Sequence, residues 1–420
     1  MPPGGPPGDT GDMPELWYRA LLRAATAIYY RRVRVVRLAA VAIDQRPVLL
    51  VGLHRNGAVD GMLYKSVFPR AVFLISRQLV RGWFGRLFFT GISVTRDKDE
   101  DESGSRRDNS GALAVAVDHL VAGGHLFVFP EGTSDLGPRH LPFKPGAARI
   151  LAAALERGVT PLVIPVGIFY ESAPTFRSDV CIVAGAPIDV TLPASTEDQR
   201  GRLAALMARI TASLEAIAVE ANDAHALLRI ETLAAFADEE MGEARWRAQK
   251  MLMECPLSAR LDEHWRRLSA DIASRRTAVD RAGIPRFSRH GALWNCAWLV
   301  VQMLIVVLAA LANPVPVGGA WRAGKRLATA RNTIALWRIL IGAPLAVAWL
   351  AAMIVFAFAT RRLWVLPAYL TITALGLVAY PELCTRWPKL RNAFGRRSAR
   401  DDAAAIGGWM RASAAGRSHV

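Results

Sequence analysis

A histidine and an aspartate six positions apart, His54 and Asp60, stand in HRNGAVDG directly behind the apolar run RPVLLVGL. A histidine that takes a proton from a hydroxyl needs a carboxylate to hold its tautomer and to steady the imidazolium that forms, and Asp60 is spaced to do this. The pair lies where an apolar run gives way to a helical stretch, the edge at which open α/β sheets build their sites. Further along, FVFPEGTSD (127–135) ends an apolar run in Glu131, Gly132, Thr133 and Ser134. There the glycine frees the backbone to turn. A carboxylate and hydroxyls at such a rim suit a polyhydroxylic compound; they would also serve as a helix cap, with Thr133, Ser134 or Asp135 bonding free amides. GISVTR (91–96) closes another run with Arg96, whose planar fork matches a phosphate, although a solvated arginine ahead of an acidic loop reads as well. LPFKPGAAR adds Lys144 and Arg149, and PVGI (165–168) closes a further run with a proline and a glycine. A His–Asp pair, an acid and several cations at run ends fit a substrate that carries both a hydroxyl and a phosphate.

Positioning these residues on one rim requires alternating strands and helices. PVLLVGLH, AVFLIS, GISVTR, HLFVFPEG, PLVIPVGIFY and VCIVAGAPI are short apolar runs of strand type, and DGMLYKSVF, VRGWFGRLFF, GALAVAVDHLVAG and GAARILAAALERG are helical stretches between them. DKDEDESGSRRDNS (97–110) is charged and rich in Ser and Gly, which predicts a loop. Residues 1–13 read as a disordered tail. Residues 14–44 predict an amphipathic helix, lying either among lipid head groups, with Trp17, Tyr18, Tyr29, Tyr30 and several arginines, or on the surface of the next domain. That domain is expected over 45–194, a charged helical extension over 195–290, membrane segments over 291–382, and a basic disordered tail over 383–420.

The membrane expectation rests on three stretches, 293–311, 339–360 and 363–380, none of which contains a charged residue. A helix needs about 20 such residues to cross a bilayer core. Only Arg361 and Arg362 part the last two, which would suit a tight or re-entrant hairpin and leaves the number of crossings open at two or three helices. The net charge of +16 favours an anionic partner. Its basic residues gather beside apolar runs, in RRVRVVR, WRAGKR, ATRR and RNAFGRR, which points to lipid head groups. No nucleic-acid reader module is present, and nucleic acid is not expected as a partner. Cys181, Cys255, Cys296 and Cys384 show no paired spacing, which argues against a zinc site or a disulfide framework. MPPGGPPGDTGDMPEL lacks the basic and apolar regions of a signal peptide, so the 45–194 domain is expected on the cytosolic side of a membrane, the cytoplasmic membrane being the simplest choice.

In chain order, HRNGAVD, GISVTR, FPEGTS with PFKPGAA, and VIPVGI resemble the four motifs of the glycerolphosphate and lysophosphatidic acid acyltransferase superfamily, over about residues 45–190. The resemblance implies an α/β fold, a mixed sheet flanked by helices, here with a helical extension and C-terminal transmembrane helices. It implies that His54 is the general base, Asp60 its orienting carboxylate, and Gly91 and Arg96 part of a phosphate-binding motif. Glu131 and Gly132, with Thr133 beside them, would contact the acceptor; Lys144 would help to dock its phosphate, and Pro165 would lie by the acyl-donor side of the cleft. No metal and no bound cofactor are implied. The substrates would be acyl-CoA or acyl carrier protein as thioester donor and a phosphate-bearing glycerolipid, lysophosphatidic acid or glycerol-3-phosphate, as acceptor. Five residues separate His54 from Asp60 where the commonest family pattern has four, which resembles the branch holding eukaryotic glycerol-3-phosphate and dihydroxyacetone-phosphate acyltransferases and bacterial relatives with C-terminal membrane segments. Leu53 also stands where an Asn is common. Rival readings are acylation of another lysolipid or a non-glycerol acceptor, a scaffold without activity, and a transporter. The presence of His, Asp and Glu speaks against the scaffold, and charge-free spans speak against the transporter.

Overall fold

The computed structural model describes residues 12–39, 46–76, 89–94, 110–191, 198–255, 257–288, 290–395 and 397–416. Its centre is a seven-stranded mixed sheet: β1 (Arg32–Arg37), β2 (Val48–Gly52), β3 (Ala71–Ser76), β4 (Ile92–Val94), β5 (His125–Val128), β6 (Leu162–Tyr170) and β7 (Asp179–Ala184), in the order β1-β7-β6-β2-β5-β3-β4. All neighbours run parallel except β6 and β7. The all-apolar composition of β2 follows from its place: it lies mid-sheet, pairs with β5 and β6, and is buried throughout.

Alternate strand residues face opposite layers. Leu49, Val51, Leu126, Val128, Val163 and Val183 join a core with α3 (Ser110–Val121), α4 (Gly146–Glu156) and α5 (Gln199–Ile217). Val48, Leu50, Phe127, Ile164, Val166 and Ile182 face α1 (Asp12–Tyr29) and α2 (Ala58–Val67). Phe127 and Phe73 stack at 4.7 Å in that second layer.

The layer has an unexpected member. Of the C-terminal apolar helices α9 (Ala292–Ala312), α10 (Pro314–Arg326), α11 (Ile334–Ala359) and α12 (Val365–Ala393), it is α11 whose first turns place Ala335, Leu336, Ile339 and Leu340 in the core beside α2. Three helical stretches, Ala292–Ala312, Arg331–Ala359 and Val365–Ala393, are long and apolar enough to cross a membrane, at mean hydropathies of 2.2, 2.5 and 1.2.

Two expectations are corrected. The helix expected over 14–44 ends at Tyr29, and RVRVVR becomes the edge strand β1, parallel to β7. Its arginines turn to protein rather than lipid: Arg31 pairs with Asp179 at 2.6 Å, and Arg32 and Arg34 both pair with Glu240. Period-two alternation of Arg and Val outweighs helical propensity once β7 offers a free edge. The disordered C-terminal tail is likewise replaced by order. α12 runs on to Ala393, and α13 (Arg397–Gly416) packs Ala399, Ala403, Ile406 and Met410 against α6 (Ala224–Ala234), α7 (Glu243–Glu254) and α8 (Ala259–Ala273). Asp402 of α13 accepts from His264 Nδ1 at 2.6 Å. The stretch looks like a polar tail because its four apolar contacts recur at helical spacing among small residues, a pattern that has meaning only against a partner face. The loop expected over 97–110, most of VRGWFGRLFF and the first eleven residues lie outside the described residues.

Candidate active site

β2, β3, β5 and β6 are mutually parallel, so their C-terminal ends share one edge, and the motif residues meet there. His54 and Asp60 lie on the turn from β2 into α2, with His54 Nδ1 2.9 Å from Asp60 Oδ2. Asp60 has no exposed surface. Its charge is balanced by a full set of donors: the backbone N–H groups of Arg55 and Asn56 reach Oδ2 at 2.6 and 2.7 Å, and the Tyr170 hydroxyl donates to Oδ1 at 2.5 Å. A carboxylate at Nδ1 fixes the proton there and leaves Nε2 as the basic nitrogen. The imidazole stacks on Phe129, centroids 4.1 Å apart and 21° between planes, so it is held on a second side as well. Burial, and next the charge of Asp60, push Tyr170 well above the ordinary tyrosine value, and it stays a proton donor to the carboxylate.

His54 borders a cavity of about 780 Å³. Its lining includes polar residues, among them Thr133, Ser134, Asp135, Lys144 and Arg149, and apolar ones, among them Met62, Phe73, Ile75, Phe89, Leu113 and Leu336. Such a lining admits a molecule with an ionic head and a hydrocarbon part. Cys181 lies elsewhere, buried in β7 with its thiol pushed up to about 12 by burial, and is unsuited to act as a nucleophile.

Of the residues expected at the site, His54, Gly132, Thr133 and Lys144 line this cavity. Glu131 does not. It is 1% exposed, its Oε1 accepting from His54 N at 2.7 Å and its Oε2 from Leu141 N at 3.1 Å. It thus ties the β5 turn to the backbone of the catalytic histidine candidate, a contact its expected role toward an acceptor did not include. Gly91 is absent from the lining too. A Cβ there would come within 2.3 Å of Phe73 O, so the glycine answers to close approach of β3. Pro165 lies within β6 opposite Val51, its ring against Gly185, away from the cavity wall. Arg96 lies outside the described residues.

Residues that sequence reasoning missed complete the site. Tyr170, at the end of β6, shared the edge signal of the other motif residues and was legible in principle. Thr329, Ala330, Asn332, Thr333 and Leu336, from the connection between α10 and α11, form one wall of the cavity. Asn332 Nδ2 donates to Ser134 O at 2.9 Å and to Ser134 Oγ at 3.0 Å. Gly57 makes room for this wall: its φ is 57°, and a Cβ would meet Asn332 O at 2.9 Å. No local pattern flags a residue 198 positions from its partner.

Residues 29–169 match the family model described as Acyltransferase. Glycerol-3-phosphate O-acyltransferase 2 of Saccharomyces cerevisiae is 31% identical over 129 residues, which are 30% of this chain and 17% of that protein. Taffazin of Dictyostelium discoideum is 26% identical over 136 residues, 29% of this chain and 45% of that protein. The chain thus spans less than half the length of these curated relatives. Among solved structures, the 1-acyl-sn-glycerophosphate (LPA) acyltransferase PlsC from Thermotoga maritima aligns over 48% of this chain and 79% of its own, at 20% identity and a TM-score of 0.33. The similarity to acyltransferases thus lies in residues 29–169, the stretch that holds His54 and Asp60.

Proposed function

We propose that the protein is a membrane-bound O-acyltransferase that moves a fatty acyl group from a thioester, acyl-CoA or acyl carrier protein, to the hydroxyl of a phosphate-bearing glycerolipid acceptor, lysophosphatidic acid or glycerol-3-phosphate. The observation that carries the reading is the His54–Asp60 pair at 2.9 Å on a cavity whose lining includes both cations and apolar side chains. The acceptor phosphate docks by Lys144 and Arg149, with Arg96 as a further cation, and its hydroxyl meets His54 Nε2. As the hydroxyl oxygen attacks the thioester carbonyl, its proton passes to Nε2 and Asp60 stabilises the imidazolium. The new C–O bond forms, the C–S bond breaks, and the thiolate takes the proton back from the imidazolium. This scheme needs no acyl-enzyme, no metal and no bound cofactor. The catalytic face works on the cytosolic side of the cytoplasmic membrane.

Membranes holding the wild type or His54→Ala, given labelled acyl-CoA with glycerol-3-phosphate, dihydroxyacetone phosphate or lysophosphatidic acid in turn, test the reading. Acylation of one acceptor by the wild type alone supports it and names the acceptor. Full activity in His54→Ala removes the assigned base, and acylation of none of these three phosphate-bearing acceptors removes the acceptor class.

A further inference from the structure

The C-terminal helices are too long to be core and are tied down at both ends, and this determines how a bilayer would receive them. Ahead of α9, Arg286 pairs with Asp280 at 3.0 Å and with Glu171, just past β6, at 3.5 Å. Between α10 and α11, Asn332 holds Ser134, and Ala335 to Leu340 supply four core residues. Late in α12, Tyr380 packs on Phe176 at 5.7 Å, and Asn392 bonds Ala278 and Arg286 at 2.7 to 2.9 Å. Each pair of helices, α9 with α10 and α11 with α12, therefore leaves the catalytic face and returns to it. Three separate crossings would put α13 on the far side of the membrane, yet Asp402 of α13 is bonded to His264.

The two hairpins differ in depth. From Leu340, the last core residue of α11, to Ala359 is about 28 Å at 1.5 Å per residue, close to the thickness of a hydrocarbon core of about 30 Å. At its tip Arg361, Arg362, Leu363 and Trp364 are all exposed, a pairing of cations with tryptophan that suits a head-group layer. α9 is itself 21 residues long, but its turn into α10 stops short of that tip. That turn, at Asn313–Pro314, is level with Tyr369, whose hydroxyl donates to Asn313 Oδ1 at 2.7 Å. Asn313 Nδ2 donates to Thr373 Oγ1 and to Ala309 O, both at 2.9 Å, and Trp349 Nε1 donates to Ala312 O at 2.9 Å. Tyr369 is eleven residues, about 16 Å, from Tyr380 at the catalytic face, which places this turn inside the hydrocarbon. A backbone turn at that depth has no water for its carbonyls, so each needs a donor from the protein. Trp349 of α11 donates to Ala312 O and the Asn313 amide to Ala309 O, while Tyr369 and Thr373 of α12 satisfy the rest of the Asn313 side chain. α10 then climbs back for 13 residues, about 20 Å, to Lys325 and Arg326, where Lys325 Nζ lies 5.1 Å from the Trp321 ring.

We propose that α11–α12 is a hairpin that crosses the bilayer and returns, with Arg361–Trp364 at the far head groups, while α9–α10 is a re-entrant hairpin whose turn is capped within the hydrocarbon by Tyr369, Thr373 and Trp349. The bilayer is the partner of this face, and it is entered and left from the catalytic side. The proposal stands apart from the chemistry assigned to His54.

The test uses full-length protein in sealed vesicles of known orientation, each variant treated with a membrane-impermeant thiol reagent from one side and then the other. Mass spectrometry reads modification by position, and detergent defines complete labelling. Asp401→Cys on α13 should label from the catalytic face only, Arg361→Cys from the opposite face only, and Leu311→Cys and Val315→Cys from neither face until detergent is added. Labelling of position 361 from the catalytic face, or from neither, overturns the crossing. Labelling of 311 or 315 from the far face overturns the re-entrant turn and makes α9 a full span.

Discussion

The cavity has two walls built on different principles. On the β2 side, His54 and Asp60 are six residues apart, and four donors, three from within their own turn and one from Tyr170, saturate the carboxylate. On the opposite side, the Ser134 turn meets the α10–α11 connection through one amide, Asn332, with two hydrogen bonds. The first wall is redundant and local; the second depends on a single side chain delivered by helices of membrane type. Redundancy suits a base whose proton must sit on one nitrogen. A single-point junction suits a wall that only shapes the space beside it.

The largest expected effect removes the base. His54→Ala should lower kcat/KM by about 10²- to 10⁴-fold with the protein still folded, because a positioned general base contributes that much. Retention of activity would dissolve the contrast between the walls. Next comes Glu131→Gln, which leaves one of two buried N–H groups, of His54 or Leu141, facing an amide NH₂. A loss of about 1–3 kcal/mol in stability is expected, measured by thermal unfolding in detergent, with kcat falling as His54 shifts. If Glu131 instead touched the acceptor, KM would rise while stability held.

Asn332→Ala probes the weaker wall. Two hydrogen bonds of about 0.5–1.5 kcal/mol each are lost, and a drop of about three- to tenfold in kcat/KM, carried by KM, is the expected outcome. Asn332→Asp should fail to restore it, because Ser134 O requires a donor. An unchanged KM in both variants would make the junction purely structural.

The smallest effect is alkaline and concerns the wall around Asp60. Tyr30, Tyr64 and Tyr170 are each held well above the ordinary value of 10.0, first by burial and then by neighbouring charge or another tyrosine. Above pH 10 the unfolded chain releases these protons while the folded one keeps them, so stability is flat below pH 10 and falls as pH rises beyond it. Each tyrosine contributes up to about 1.4 kcal/mol per pH unit. Tyr170→Phe should make the decline shallower in a pH series of urea or thermal midpoints, whereas an unaltered slope would show that Tyr170 ionises freely.

Elements were legible wherever the reason for them was local. Short apolar runs marked β2, β3, β4, β5, β6 and β7, and charge-free stretches marked α9, α11 and α12. RVRVVR was misread because its partner strand β7 lies 147 residues away, and the C-terminal helix α13 because its apolar residues make a face only beside α7 and α8. At the site, His54 and Asp60 could be named from their spacing. Glu131 could be named from its motif, but its bonds to His54 N and Leu141 N could not, because a motif does not show which way a carboxylate points.

By itself the sequence determined the residue types and their class of setting: a His–Asp pair behind an apolar strand, cations near neighbouring strand ends, and helices long and apolar enough to cross a membrane. These depend on side-chain type and short spacing, which the chain carries locally. Tertiary structure alone decided that Glu131 holds the His54 backbone, that Tyr170 completes the shell of Asp60, and that Asn332 closes the cavity. Those contacts join residues 77, 110 and 198 positions apart. Hydrogen bonds are directional and short, so they exist only after the parallel strands have brought their ends to one edge and α11 has docked its first turns in the core.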